Sequence, residues 1–167
     1  VFGAPEDISI ADFEQSIKSL VTGRFLMCQE AGKRMLAQGR GSIVNIGSIG
    51  GVSSLGRGQI AYFAAMGAVV QMVRGLATEW ASRGVRVNAI LPAHVLNSGL
   101  SERKEKTPEV LDTFLRGIPA GRIGQADDRR GLFALLASNA SAWTTGTLIP
   151  MDGGNLAPNA GGSYPDF

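Results

Sequence analysis

Two hydroxyl groups carry the clearest chemical signal in this chain. Ser48 follows a short apolar run, Ser42-Ile43-Val44-Asn45-Ile46, and Tyr62 opens a long helical pattern fourteen residues later. A free phenol titrates near pH 10, so Tyr62 is a poor base at neutral pH unless a nearby cation favours the phenolate. Ser53 and Ser54 are rival hydroxyls, but they lie too deep in the Gly/Ser-rich loop to follow the strand directly. His94 is the sole histidine, a residue type whose unperturbed pKa suits proton transfer. With no partner visible in its loop, it reads as structural. Cys28 sits among Phe25, Leu26 and Met27 and reads as a buried structural thiol. A single cysteine excludes an internal disulfide. One cysteine and one histidine without clustered spacing argue against a His/Cys metal site.

The elements around these hydroxyls follow from periodicity. Residues 42–46 form a strand, a loop follows, and apolar residues at Ala61, Ala65, Ala68/Val69, Met72, Leu76 and Trp80 mark a helix over 61–83. A second strand over 85–91 stops at Pro92. Strand, helix, strand in that order is a βαβ unit, with parallel strands and a right-handed crossover. Upstream, Ser9-x-x-Asp12 is a helix-start pattern. Phe13, Ile17, Leu20/Val21, Phe25, Cys28 and Met35 then recur at helical steps to about Leu36. Gly23 inside this helix costs about 1 kcal/mol relative to Ala, which predicts close backbone packing there. Downstream, Ser101 to Lys106 is a mixed-charge solvated loop or helix face, and Thr107-Pro108-Glu109 starts a short helix. Another helix covers 126–138, and 147–151 is a last strand. Pro150 cannot donate to a ladder, so that strand belongs at an edge or ends there.

Apolar residues are 44% and charged residues 18% of 167, which describes one globular, core-rich domain. A net charge of +2 with mixed signs gives no electrostatic case for nucleic acid or an acidic membrane surface. No apolar run reaches bilayer-spanning length, and no basic-then-apolar leader pattern occurs. A soluble cytoplasmic protein is the expectation.

Several ordered stretches resemble the short-chain dehydrogenase/reductase family. They are Ile43-Val44-Asn45-Ile46-Gly47-Ser48, Tyr62 at the head of its helix, and Arg86-Val87-Asn88-Ala89-Ile90 followed by Pro92. Gly121-Arg122-Ile123-Gly124 and Met151-Asp152-Gly153-Gly154 also match. The resemblance implies an NAD- or NADP-dependent oxidoreductase that moves a hydride between nicotinamide and a carbonyl or alcohol. It implies that Ser48 hydrogen-bonds the substrate oxygen and that Tyr62 transfers its proton. Tyr62, Pro92, Ala93, Val95 and Asn97 would contact the cofactor. The family's lysine, four residues past the tyrosine, is replaced by Met66, and its water-holding asparagine by Leu20. Ala93 stands for a glycine, adding a methyl where the cofactor approaches.

The expected fold is therefore α/β, a doubly wound, mainly parallel Rossmann-like sheet. No G-x-G-x-x-G fingerprint occurs, so the N-terminal nucleotide-binding half is expected to be missing. One domain over 1–154 and a poorly ordered tail over 155–167 are expected. By family resemblance the partners are a small carbonyl or alcohol substrate and further copies of the chain, as a homodimer or homotetramer through helices 10–36 and 61–83. The competing expectation is a non-catalytic relative serving as a dimerisation or regulatory partner.

Overall fold

The computed structural model describes residues 2–54, 56, 58–106 and 109–158. In chain order the elements are α1 (Ile10–Ile17), a wide π-helical turn (Lys18–Thr22), α2 (Gly23–Ala37) and β1 (Gly41–Ile46). Next come α3 (Ile60–Trp80), β2 (Val85–Pro92), α4 (Ser98–Lys106), α5 (Glu109–Leu115), α6 (Arg130–Ala137) and β3 (Leu148–Met151). The three strands form one parallel sheet in the order β1-β2-β3, with Gly41 opposite Val85 and Leu91 opposite Pro150. All three expected strands are present. Pro150 lies on an edge strand, as its missing N–H requires.

Strand alternation sorts the helices onto two faces. On β2, Val85, Val87, Ala89 and Leu91 point to one side and form the main core with Val70, Val73 and Ala77 of α3. Full burial of each such Val or Leu side chain contributes about 1.5–3 kcal/mol. Arg86 and Asn88 point to the other side. Arg86 donates to the carbonyls of Leu136 and Ser138 and to Ser141 Oγ, which holds the end of α6 there. Asn88 is fully buried and ties β2 to the segment leading into β3, through Thr144 O and Thr147 N–H.

α3 buries two adjoining faces. Its sheet side joins the main core, while Ala65, Met66 and Val69 pack against Ile17, Leu20, Val21 and Tyr62. The second face is thus covered by the same chain's N-terminal helix. The segment Ile60–Arg83 is long and apolar enough to cross a bilayer by length and composition, which corrects the reading from sequence. Here it is the core helix, with seven buried residues from Ala61 to Ala77. Its exit turns at Gly84, whose φ of 82° suits only glycine and whose Cβ position is blocked by the Gly39 carbonyl.

The N-terminal helix begins as expected, with Ser9 Oγ accepting from the Asp12 amide at 3.1 Å. Its glycine, expected at a close approach to a second copy, meets little within this chain. A Cβ at Gly23 would meet only Lys18 O at 3.8 Å within this chain. The close approach inside the chain is at Gly32, where a Cβ would lie 2.5–3.0 Å from the Trp80 ring. The mixed-charge run is helical, within α4. The helix start at Thr107-Pro108 lies outside the described residues. Residues 155–158, placed in the tail by sequence, form turns: Asn155 donates to Gly117 O, and the Leu156 amide reaches Asp152 at 2.8 Å.

Candidate active site

Parallel pairing brings the C-terminal ends of β1 and β2 to the same sheet edge. Ile46 is level with Ile90, and the Gly47 amide donates to Ile90 O at 2.8 Å. Two residues further along each strand stand Ser48 and Pro92. Ser48 is extended and half-buried, and its Oγ accepts from the Gly50 amide at 3.0 Å. Its own O–H has no acceptor among the described residues. The loop after it lies tightly on α3. A Cβ on Gly50 would be 2.8 Å from the Phe63 ring and 3.3 Å from Ser48 Oγ, and one on Gly51 would be 2.6 Å from Met66 O. Glycines at 50 and 51 therefore let the Ser48 loop touch the first turns of the helix that carries Tyr62.

Tyr62 is half-buried, edge-on to Phe63 with ring centroids 5.9 Å apart. Its hydroxyl has no hydrogen-bond partner among the described residues. Ser53, the rival hydroxyl, is committed to Ile49 O at 2.9 Å. Met66 is 2% exposed and shares an apolar cluster with Leu20 and Tyr62. The two positions that depart from the family pattern thus meet in one apolar cluster that also holds Tyr62.

The loop after β2 is braced from behind. Val95 bridges to Gly124, the Leu96 amide donates to Gly124 O at 2.8 Å, and the Gly124 amide donates to His94 O at 3.0 Å. The segment around Gly124 is held in turn by Asp128. Its carboxylate takes both Arg122 guanidinium nitrogens at 2.7 and 2.9 Å and the Gln125 amide at 2.7 Å. The Arg122 hydrogen bond, then the Gln125 amide, lower the Asp128 pKa to about 2. The Gly-Arg-Ile-Gly stretch thus acts as a strut for residues 94–96. His94 stacks on Phe114, with centroids 3.7 Å apart and rings 7° from parallel, which seats α5 on the loop. Ala93 donates to Met151 O at 3.1 Å and packs against the main core. Asn97 caps α4 by accepting from the Leu100 amide at 2.9 Å, and donates to Val95 O at 3.2 Å.

Reading the sequence missed Arg24. Its guanidinium reaches Leu20 O at 2.7 Å and Ile46 O at 3.0 Å, joining the π-helical turn to the end of β1. The available signal was one charged residue amid Gly23, Phe25, Leu26, Met27 and Cys28. Cys28 is buried as expected, against Asn45.

A family model described as enoyl-(acyl carrier protein) reductase matches residues 2–155. The chain belongs to the short-chain dehydrogenase/reductase family. The 2-(S)-hydroxypropyl-CoM dehydrogenase 3 of Xanthobacter autotrophicus is 35% identical over 159 residues, 93% of this chain and 62% of the relative. Galactitol 2-dehydrogenase (L-tagatose-forming) of Cereibacter sphaeroides is 40% identical over 145 residues, 86% of this chain and 57% of the relative. A crystal structure of gluconate 5-dehydrogenase from Burkholderia cenocepacia in complex with NADP and tartrate superposes with a TM-score of 0.89 at 26% identity. It covers 95% of this chain and 62% of that one. The chain thus spans about three fifths of the length of these relatives.

Solved structures of similar proteins hold NADP. Among the described residues the Val95 amide has no acceptor, and it lies beside Asn97 on the strutted loop. That unpaired donor suits a carboxamide oxygen. Met66 is buried among apolar side chains and offers no charge to a bound ribose.

Proposed function

We propose that this chain is the substrate-facing part of a short-chain NAD(P)-dependent oxidoreductase acting on a small carbonyl or alcohol, with weakened proton chemistry. The carrying observation is the pair of hydroxyl protons with no acceptor among the described residues, Ser48 after β1 and Tyr62 on the helix pressed against the Ser48 loop. When bound, nicotinamide supplies the hydride. In the reducing direction, Ser48 donates a hydrogen bond to the substrate oxygen. Tyr62 gives that oxygen its proton as the carbonyl becomes an alcohol. The Val95 amide and Asn97 would hold the nicotinamide end.

Met66 and Leu20 weaken this scheme. A thioether cannot favour a phenolate by Coulomb attraction, and an isobutyl group cannot anchor a water. General acid–base assistance is worth about 10²–10⁴-fold, and most of it is forfeited here. A second reading, a non-catalytic dimerisation or regulatory partner, draws support from the same apolar cluster. It also draws on Phe25, Leu26 and Met27, large apolar residues 40%, 52% and 74% exposed on α2. Either reading gives the chain an oligomer through its long helices.

Titration of NADH and NADPH, followed by fluorescence, separates the two. Saturable binding with carbonyl-dependent oxidation of the reduced cofactor supports the oxidoreductase. A stable oligomer that binds neither cofactor supports the partner role.

A further inference from the structure

We propose that the turn after β3, shaped by Asp152 and closed by Asn155, holds the 94–96 loop in place, which makes both side chains positioning residues for the nicotinamide end of the cofactor. The cofactor part of this assignment rests on the reaction proposed above. The loop has two supports. Ahead of Gly117, Phe114 of α5 is buried against the His94 ring. Beyond Gly121, the Gly124 amide donates to His94 O and Gly124 O accepts from the Leu96 amide. In a parallel bridge of that kind the Val95 N–H points away from Gly124, toward the open side of the loop. Both supports spring from one stretch, 117–121, so whatever fixes that stretch also fixes the loop.

The turn after β3 grips 117–121 at three points. The Ala120 amide donates to Gly153 O at 2.9 Å, and Asn155 Nδ2 donates to Gly117 O. Ile118 and Pro119 lie over Gly153 and Gly154, whose φ values are 62° and 89°. A Cβ at Gly153 would be 2.7 Å from Ile118, and one at Gly154 would be 3.1 Å from Pro119. The turn is itself braced. One Asp152 carboxylate oxygen accepts from the Gly154 amide at 2.9 Å and the other from the Leu156 amide at 2.8 Å. Leu156 in turn packs on the main core. Among the described residues neither core cluster takes a side chain from α4 or α5. The return of that excursion to the body is therefore secured by 153–155. These contacts gather at the ends of β2 and β3, and none involves β1.

The test compares wild type, Asn155→Asp and Asp152→Asn in the full protein. Asn155→Asp keeps the side-chain shape and removes the donor, and Asp152→Asn keeps one acceptor and loses the other. Amide hydrogen exchange at Leu96 and Gly124 should speed at least about 10-fold relative to Val87 and Ala89 in β2, the scale of one lost hydrogen bond. Kd for NADH or NADPH should rise about 10-fold. ADP-ribose or its 2′-phosphate, which lacks the nicotinamide ring, should bind as tightly as to wild type. Unchanged exchange at Leu96 and Gly124 would overturn the assignment. So would equal acceleration across β2, or an equal loss of affinity for ADP-ribose and for the dinucleotide. A wild-type protein that binds neither dinucleotide counts against the proposed reaction alone, and exchange at Leu96 and Gly124 then decides the anchor by itself.

Discussion

Replacing Met66 with lysine and Leu20 with asparagine, singly and together, probes the apolar cluster that holds Tyr62. Met66 is 2% exposed among Ala65 and Val69, with Leu20 and Ile17 packed on the same cluster. Met66→Lys alone forces an ammonium into that cluster without a carboxylate or amide to meet it. An unpaired buried charge costs about 3–5 kcal/mol. The four-carbon stem can carry part of the charge toward solvent, which brings the expected loss to about 3 kcal/mol. At about 2–4 °C per kcal/mol for a domain of this size, Tm should drop about 6–12 °C. Leu20→Asn removes a half-buried apolar side chain and adds an amide with no partner, for about 1–2 kcal/mol. In the double variant each new group meets the other, directly or through one water. The double variant should therefore be more stable than the sum of the singles by about 1–3 kcal/mol. Chemical denaturation of all four proteins gives the coupling, and carbonyl-dependent oxidation of NAD(P)H gives turnover. Turnover should rise about 10²-fold or more only when lysine is present and the fold is intact. Strict additivity in stability, with no gain in turnover, would refute the idea that these two residues jointly replace a polar relay.

Other consequences follow from the fold. Gly32→Ala places a methyl against the Trp80 ring and should cost about 1–3 kcal/mol in a thermal or denaturant melt, whereas Gly23→Ala should be neutral or slightly stabilising. Asp128 is held near 2, below its ordinary value of 3.8, so its pairing with Arg122 stabilises the fold above about pH 4 and is lost as pH falls through about 2. Asp128→Asn should remove that acid limb from a series of melts and loosen the strut behind residues 94–96. Phe25→Glu with Met27→Glu should shift the protein toward monomer by light scattering, with its circular dichroism unchanged.

The sheet was readable from sequence because strands rich in Val, Ile and Ala, broken by Gly and Pro, leave few alternatives. The strands at 42–46, 85–91 and 147–151 each lie within a residue of those observed. Helix α3 was legible as apolar on more than one face, but composition does not say what covers a second face. Here α1 covers it. The π-helical turn was invisible because Leu20 and Val21 fit the helical spacing equally well, so one extra residue per turn left no mark on the pattern. The close approach at Gly32 left no signal in the sequence, because its partner, Trp80, comes from a distant element. At the site, types and order pointed to Ser48, Tyr62 and the 92–97 loop. Arg24 was not legible, because its partners are backbone carbonyls, and any residue type supplies those.

The most direct test of the central claim is the carbonyl-reduction rate of wild type, Ser48→Ala, Tyr62→Phe and the double variant under saturating NADPH or NADH. If the two hydroxyls serve one substrate oxygen, each single change lowers kcat at least about 10²-fold, and the double variant is no slower than the worse single, because the pair acts as a unit. Wild-type kcat in Tyr62→Phe, or losses that simply multiply, would contradict it.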